Sequence, residues 1–192
     1  MKKKQKPVRI RCFAGIKFPL YQELTPLLDE LHPLGLSEPL KLRVSPPENL
    51  HITLKFLGSV EQENLKFIQA TLAEIGNKHR HFELSSTGLG FFKGSLWIGI
   101  DKSDYLEQIV TDMSHAFAVQ PSVEDSRPFV PHVTLAKFNN KAKSELTNLY
   151  ETYADHKWGS FTVGQLQLYK SETLDMGAQY TLLNSYDCLA ET

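Results

Sequence analysis

Residues 51–54 of the chain read His-Ile-Thr-Leu, and residues 132–135 repeat the pattern as His-Val-Thr-Leu. Both copies lie in short runs rich in aliphatic and aromatic residues, which predicts a β-strand for each. Because successive side chains of a strand point to opposite faces, histidine and threonine share one face and the two aliphatic residues share the other. We therefore expect each copy to anchor in a core through its aliphatic residues and to present an imidazole and a hydroxyl on the opposite face.

The order of elements around the two copies also repeats. Each motif strand is followed by a predicted amphipathic helix, at about 61–77 and near 144–155, and then by two strands that a short turn joins. After the second helix these strands are predicted at 161–171 and 179–189. Hairpin-like pairs favour antiparallel sheets. The expected fold is therefore α+β, with two pseudo-symmetric lobes of antiparallel sheet, outer helices, and motif strands that face a central cleft.

The composition predicts one globular domain after a basic tail. Residues 1–7 are expected to form a disordered basic tail and residues 8–192 a single bilobal domain. Lys and Arg number 21 against 22 Asp and Glu, a net charge of −1, so a phosphate site requires a local concentration of positive charge. Cys12 and Cys188 have no metal-binding or redox spacing, and no apolar run approaches the roughly 18 residues of a membrane span. We expect a soluble, cytoplasmic monomer that does not associate with membranes.

Two histidines paired with two short hydroxyl donors fit phosphodiester chemistry. One neutral imidazole can take a proton from water while a protonated one gives a proton to the leaving oxygen. Threonine hydroxyls can donate to the non-bridging oxygens, where negative charge builds as phosphorus becomes five-coordinate. A metal site is the alternative, but it requires a third or fourth ligand, and no Asp, Glu or Cys accompanies either motif at a fixed spacing. We expect no metal and no cofactor, and the residues alone leave open which histidine is the acid.

Longer stretches around the motifs resemble the two-histidine (2H) phosphoesterase superfamily. Within it, they resemble the LigT-like RNA 2′,3′-cyclic phosphodiesterases, once called 2′-5′ RNA ligases. The resemblance runs from about Arg9 to Leu183. It rests on an opening strand, the two motifs with their flanks, and a closing hairpin: RCFAGIKFP (11–19), PENLHITLKFLG (47–58), RPFVPHVTLAK (127–137) and LYKSETLDMGAQYTLL (168–183).

The resemblance implies an enzyme that hydrolyses RNA 2′,3′-cyclic phosphodiester ends to 2′-phosphomonoesters without a metal. It assigns His51 as the proton donor to the departing 3′ oxygen and His132 as the proton acceptor from water. Thr53 and Thr134 would hold the phosphate. The implied binding partners are RNA 3′ ends or small cyclic nucleotides.

Three further residues are candidates for substrate binding. Members of the family often carry a basic residue five positions after the second histidine, which here is Lys137. Strict alternation would turn Lys137 away from His132, so it requires a bulge or a strand end to reach the phosphate. Arg127 is a second candidate for the phosphate and the RNA backbone, and Phe56 could stack an unpaired base. The same alternation would place Phe56 in the core, and either cation could be an ordinary surface charge.

Alternative functions stay open at this point. The same site could act on another cyclic phosphate or on a 2′-5′ linked nucleotide, and ligation is the same chemistry run backwards with a 5′-hydroxyl in place of water. A non-catalytic module that binds RNA ends would keep the fold without the reaction. Substituting either histidine by Ala separates an enzyme from such a module, because an acid–base group contributes about 10²–10⁴ in rate whereas a binder loses only affinity.

Overall fold

The computed structural model describes residues 7–36, 40–118, 128–174 and 177–190. Most of the predicted basic tail, residues 1–6, lies outside these ranges. Within them the chain forms nine strands and four α-helices. The strands are, in chain order, β1 Arg9–Lys17, β2 Arg43–Val44, β3 His51–Glu61, β4 Phe82–Phe92, β5 Ser95–Ile100, β6 His132–Lys137, β7 Lys157–Val163, β8 Gln165–Leu174 and β9 Gly177–Asp187. The helices are α1 Thr25–Leu34, α2 Leu65–Gly76, α3 Asp104–Phe117 and α4 Thr147–Tyr153.

The strands form one sheet, and every pairing between the strands named above is antiparallel. The order in the sheet is β7-β4-β5-β6-β3-β1-β8-β9, with the two-residue strand β2 beside β6. The motif strands β3 and β6 are neighbours at the centre, where Ile52 pairs with Val133. The predicted α+β fold of antiparallel sheet with helices is confirmed. Its two lobes are the two halves of a single sheet, one on either side of this central pair.

The order of the strands in the sequence differs from their order in the sheet. The hairpin β4–β5 follows the first motif strand in sequence but pairs with the second one through β5, whereas the hairpin β8–β9 pairs with β1 in the first half. The prediction of a single strand at 161–171 is wrong, because Gly164 divides the stretch into β7 and β8. β7 pairs at one end of the sheet and β8 near the other. Since one residue joins them, the sheet has to curl until its ends approach.

Helices pack against one face of this curled sheet. α2 and α3 contact each other and also contact β8, β9 and β3, and α4 contacts β4. α3 buries an apolar stripe against the sheet, made of Leu106, Ile109, Met113 and Phe117. Both α2 and α4 begin later than predicted, because a 3₁₀ turn precedes each of them. No helix in the described part of the chain is long and apolar enough to cross a membrane.

Candidate active site

The central pair of β3 and β6 sets the geometry of the candidate site. Because the two strands are antiparallel, its register puts His51 across from Thr134 and Thr53 across from His132. Where strands pair, side chains directly opposite each other on one face have Cβ atoms about 4.5–5.5 Å apart. The four polar motif residues therefore gather on one face of the sheet, around the pseudo-twofold axis between β3 and β6. We call this face the cleft face.

The second motif strand bulges at its leucine. Two pairs between β5 and β6 flank that residue: Trp97 with Thr134 and Leu96 with Ala136. Leu135 is thus an extra residue on β6, and both it and Ala136 are fully buried on the helix side. A bulge of this kind shifts the alternation by one residue. The next side chain, Lys137, consequently turns back to the cleft face that His132 occupies.

Lys137 is held at the cleft face by a serine on the neighbouring strand. It pairs with Ser95, and its Nζ donates to the Ser95 hydroxyl oxygen at 2.6 Å. Partial burial lowers the pKa of the Lys137 ammonium, and its positive charge in turn lowers the pKa of His132. The bulge that the alternation argument required for Lys137 is therefore present, and the ammonium lies within electrostatic reach of the second histidine.

The first motif strand bulges at the same place. Two pairs between β1 and β3 flank its leucine: Thr53 with Gly15 and Lys55 with Ala14. Leu54 is the extra residue, so Phe56 turns to the face of His51, and 43% of its surface is exposed. The expectation from strict alternation, a buried Phe56, is wrong because alternation breaks at this bulge. The fifth position after each histidine thus reaches the cleft face, as an aromatic ring in one half and as a cation in the other.

The His51 imidazole is oriented by two hydrogen bonds. Its Nδ1 lies 2.6 Å from the carbonyl oxygen of Asn49 and its Nε2 lies 3.0 Å from the hydroxyl oxygen of Thr53. A carbonyl can only accept, so Nδ1 carries the proton and, in the neutral ring, Nε2 holds the lone pair. The Thr53 hydroxyl then donates to Nε2. When His51 is protonated the direction of this bond reverses, and Nε2 has a proton to give.

Aromatic rings surround His51. Phe13 stacks on it with ring centroids 4.6 Å apart, Tyr180 meets it edge-on at 4.9 Å, and Tyr169 lies at 5.9 Å. Burial among these rings lowers the pKa of His51 from 6.5 to about 4, although the Asn49 carbonyl opposes the shift. The positive charge of His132 also contributes to this lowering. Two protonated histidines therefore disfavour each other, as expected of a pair that works with one proton.

His132 has a similar but less enclosed setting. Its Nδ1 lies 2.7 Å from the carbonyl oxygen of Val130, which again leaves the lone pair of the neutral ring on Nε2. Phe92 meets the ring edge-on at 4.8 Å and Trp97 lies at 5.9 Å. Burial lowers the pKa of His132, the Val130 carbonyl opposes this, and the Lys137 charge adds to the lowering. Among the described residues, the contacts of His132 include no partner for Nε2, in contrast to His51.

Two further predictions concern a metal site and Arg127. Within the described ranges, no three or more His, Cys, Asp or Glu side chains come close enough together to hold a metal ion. Arg127 lies outside the described residues, so its place beside the phosphate stays a prediction.

Comparison with known proteins gives the family. The family model described as "2′-5′ RNA ligase superfamily" matches residues 38–175, which include both motifs and most of the sheet. The chain belongs to the 2′-5′ RNA ligase superfamily. This confirms the resemblance seen in the motif stretches. The matched range does not include the first strand β1, the helix α1 or the last strand β9 of this chain.

Two curated relatives of this chain carry the same name. An RNA 2′,3′-cyclic phosphodiesterase of Aquifex aeolicus is 27% identical over 147 residues, which cover 73% of this chain and 78% of that protein. Another of the same name, from Archaeoglobus fulgidus, is 28% identical over 185 residues, covering 94% and 100%.

Solved structures share the fold. The crystal structure of TT0787 of Thermus thermophilus has a TM-score of 0.77 at 19% identity, covering 95% of this chain and 100% of that chain. The crystal structure of E. coli LigT in its apo form has a TM-score of 0.76 at 23% identity, covering 94% and 98%.

Some parts of the site in this superfamily member are not evident from its sequence. Phe13, Tyr180 and Ser95 touch the histidines or Lys137, yet each belongs to a strand other than the motif strands. The only sequence signal is that Phe13 and Tyr180 lie in the two stretches that resemble the family outside the motifs. Their contact with His51 depends on β1 and β9 lying in the same half of the sheet as β3.

Proposed function

We propose that this protein hydrolyses RNA 2′,3′-cyclic phosphodiester ends to 2′-phosphomonoesters, with His51 and His132 as a metal-independent acid–base pair. The observation that carries the proposal is the matched orientation of the two imidazoles. In each, a backbone carbonyl holds Nδ1, so that Nε2 is the nitrogen available to a substrate. The shared name of the curated relatives, RNA 2′,3′-cyclic phosphodiesterase, supports the same substrate class. A LigT structure solved with 3′-AMP supports nucleotide binding by this fold.

His132 is proposed as the base. Its neutral Nε2 takes a proton from water while the water oxygen attacks phosphorus, so a P–O bond forms as the O–H bond breaks. One observation favours this role. The described residues give Nε2 of His132 no competing partner, whereas Nε2 of His51 lies 3.0 Å from the Thr53 hydroxyl. Thr134, two residues along the same face, is placed to donate to a non-bridging oxygen as charge develops there.

His51 is proposed as the acid. Its protonated Nε2 gives the proton to the 3′ oxygen as the P–O3′ bond breaks, leaving the phosphate on the 2′ oxygen. Because burial lowers the pKa of His51 to about 4, the free enzyme holds this proton only weakly. A bound phosphate anion next to Nε2 favours the charged ring and raises its pKa, so substrate binding itself helps to load the acid. After release, exchange with solvent returns the proton from His132 and reloads His51.

Lys137 and Phe56 are proposed to bind the two parts of the substrate. The Lys137 ammonium, in the half of the sheet that contains β6, is proposed to donate to the phosphate oxygens. Such a hydrogen bond between charged groups is about twice as strong as one between neutral groups. The exposed Phe56 ring faces the cleft from the first half and can stack a nucleobase, as aromatic rings do with unpaired RNA. Arg127 is retained as a further phosphate ligand on the basis of the family resemblance.

Turnover of a short RNA that ends in a 2′,3′-cyclic phosphate tests the proposal. The assay contains EDTA and compares the wild type with His51→Ala, His132→Ala and, as a matched control, His32→Ala on the exposed side of α1. We expect each motif variant to lose about 10²–10⁴ in rate with the fold intact, and the control to stay within twofold. Activity that requires an added divalent ion would overturn the metal-free mechanism. Binding of the RNA end without any turnover would identify a non-catalytic module instead.

A further inference from the structure

Three chain segments meet beside the second motif strand. The carbonyl oxygen of Leu40 accepts from the backbone N–H of Asn139 at 2.6 Å, which ties the approach to β2 to the end of β6. The carbonyl oxygen of Gly94, in the β4–β5 turn, accepts from the N–H of Phe138 at 3.1 Å. The N–H of Gly94 also donates to the side-chain oxygen of Asn140 at 3.4 Å. These bonds hold the three segments together at one rim of the cleft.

Each of the three segments carries exposed cations. Residues 40–45, 91–95 and 137–143 contain no Asp or Glu, although the whole chain has a net charge of only −1. We call their six cations the basic rim: Lys41, Arg43, Lys93, Lys137, Lys141 and Lys143. Each of these residues reaches solvent. The local concentration of positive charge that a phosphate site requires is therefore found here.

The basic rim contains two like charges in direct opposition. Arg43 of β2 pairs with Lys137 of β6, so the two side chains share the cleft face. Like charges opposite each other on a sheet destabilise it, and an anion that bridges them would reverse that effect. Lys41, two residues earlier, has a positive φ of 46°, a backbone conformation that is rare outside glycine. Strained backbone of this kind clusters at ligand-binding sites.

In the opposite half of the sheet, two of the cations on β1 and β8 form ion pairs, Arg9 with Glu61 at 2.8 Å and Lys170 with Glu172 at 2.8 Å. The six cations of the basic rim lie in segments that contain no acidic residue, which favours the rim as the path of an anionic polymer that leaves the cleft. Phe92 stands where the rim meets the cleft, edge-on to His132 and with 39% of its surface exposed, so it offers a ring for base stacking.

We propose that the basic rim binds the RNA backbone on the 5′ side of the terminal cyclic phosphate. The proposal rests on the proposed function, because an RNA 3′ end continues from the cyclic phosphate in one direction only. Lys137 belongs both to the site and to the rim, so the two surfaces are continuous. The preferred substrate is consequently an oligonucleotide of several phosphates and not a mononucleoside cyclic phosphate.

A binding experiment that needs no turnover tests this proposal. A fluorescent single-stranded RNA octanucleotide ending in a 2′-phosphate is titrated with the full chain at KCl concentrations between about 0.05 and 0.3 M, a range over which phosphate contacts lose affinity. The test variant replaces Arg43, Lys93 and Lys141 by Gln. The charge-matched control replaces three exposed lysines on and near α2 and α3, Lys66, Lys78 and Lys102, by Gln. For single strands, each phosphate contact contributes about 0.7 to the steepness with which log K falls against log salt concentration. Loss of three contacts in the test variant should therefore reduce this slope by about 2 and weaken binding at about 0.1 M salt by about 100-fold.

The same variants are then compared on two substrates. We expect the ratio of kcat/KM for the cyclic-phosphate octanucleotide over the mononucleoside cyclic phosphate to fall by roughly 100-fold in the test variant, and to stay unchanged in the control. An unchanged salt slope, or an equal loss in the control, would overturn the basic rim as an RNA surface. Tight, rim-dependent RNA binding in a protein that hydrolyses neither substrate would support the rim and overturn the proposed function.

Discussion

Raising the pH from 6.5 to 8.0 is expected to lower kcat/KM for a cyclic-phosphate RNA by about 20- to 30-fold. The reaction needs one protonated and one neutral histidine in the free enzyme. Burial lowers the pKa of His51 to about 4, and burial together with the Lys137 charge lowers the pKa of His132 below 6.5. Above pH 6.5 both rings are therefore mostly neutral. The singly protonated form then declines about tenfold for each pH unit, and 1.5 units give the stated factor.

On the acid side, kcat/KM should reach its maximum between the two pKa values and fall again below pH 4, where both rings are protonated. The expected profile is thus a bell centred below pH 6.5. The pH dependence of kcat should lie at higher pH, because the bound phosphate anion raises the pKa of His51. Comparing the two profiles therefore separates the effect of burial from the effect of the substrate.

The assay uses initial rates on a labelled RNA well below KM, with EDTA, at pH values from 4 to 8.5. A parallel NMR titration of the imidazole carbon-bound protons in the free protein gives the two pKa values directly. A flat kcat/KM between pH 6 and 8, or an optimum above pH 7, would show that the two histidines do not titrate as an acid–base pair with lowered pKa values. So would a free-protein pKa near 6.5 for His51, since the aromatic rings around it would then not exclude water.

Three more predictions concern stability and binding. As the pH falls from 6.5 to 4, His51 takes up a proton in the unfolded chain but resists it in the folded protein, so the free energy of unfolding should drop by about 3 kcal/mol from this group. Urea unfolding at the two pH values measures the drop, and a His51→Gln variant that keeps all of it would contradict the prediction. The Cβ of an alanine at position 90 would overlap the Trp97 ring, so Gly90→Ala should lower the free energy of unfolding by about 1–3 kcal/mol and lower the rate by displacing the ring beside His132. Urea midpoints measure the loss of stability and tryptophan emission measures the displacement, and wild-type values for both would refute the prediction. Lys137→Met should lower kcat/KM by about 10- to 100-fold, the value of one charge-assisted hydrogen bond. Ser95→Ala should lower kcat/KM less, because this change only releases the ammonium from its hydrogen bond. Equal losses for both variants in steady-state kinetics would show that Ser95 does more than position the lysine.

Much of the candidate site could be predicted from local patterns. The alternation of a strand is a property of the backbone, so the sharing of one face by His51 and Thr53, and by His132 and Thr134, follows from four residues of sequence. The apolar stripes of α2 and α3 are local in the same sense. Helix starts were less well predicted, because 3₁₀ turns at α2 and α4 depend on how the chain enters each helix.

The direction of some side chains depends on the neighbouring strand and not on alternation alone. Phe56 and Lys137 reach the cleft face because Leu54 and Leu135 are extra residues opposite β1 and β5, and a bulge exists only relative to the strand beside it. For the same reason the division of 161–171 at Gly164 escaped the sequence pattern. Its first part pairs with β4 and its second part with β1, both distant in the chain, and those pairings outweigh a continuous run of β-forming residues.

The sequence alone shows the two motifs and predicts which of their residues share a face and that the fold is α+β. Strand pairing and packing place the motif strands next to each other in one sheet, surround the two histidines with aromatic rings from β1, β4, β5, β8 and β9, and join three separate chain segments to form the basic rim. Side-chain direction along a strand is fixed by bonds within that strand. Strand order, register and the low dielectric around a buried imidazole arise from contacts between residues far apart in the chain, which no local pattern records.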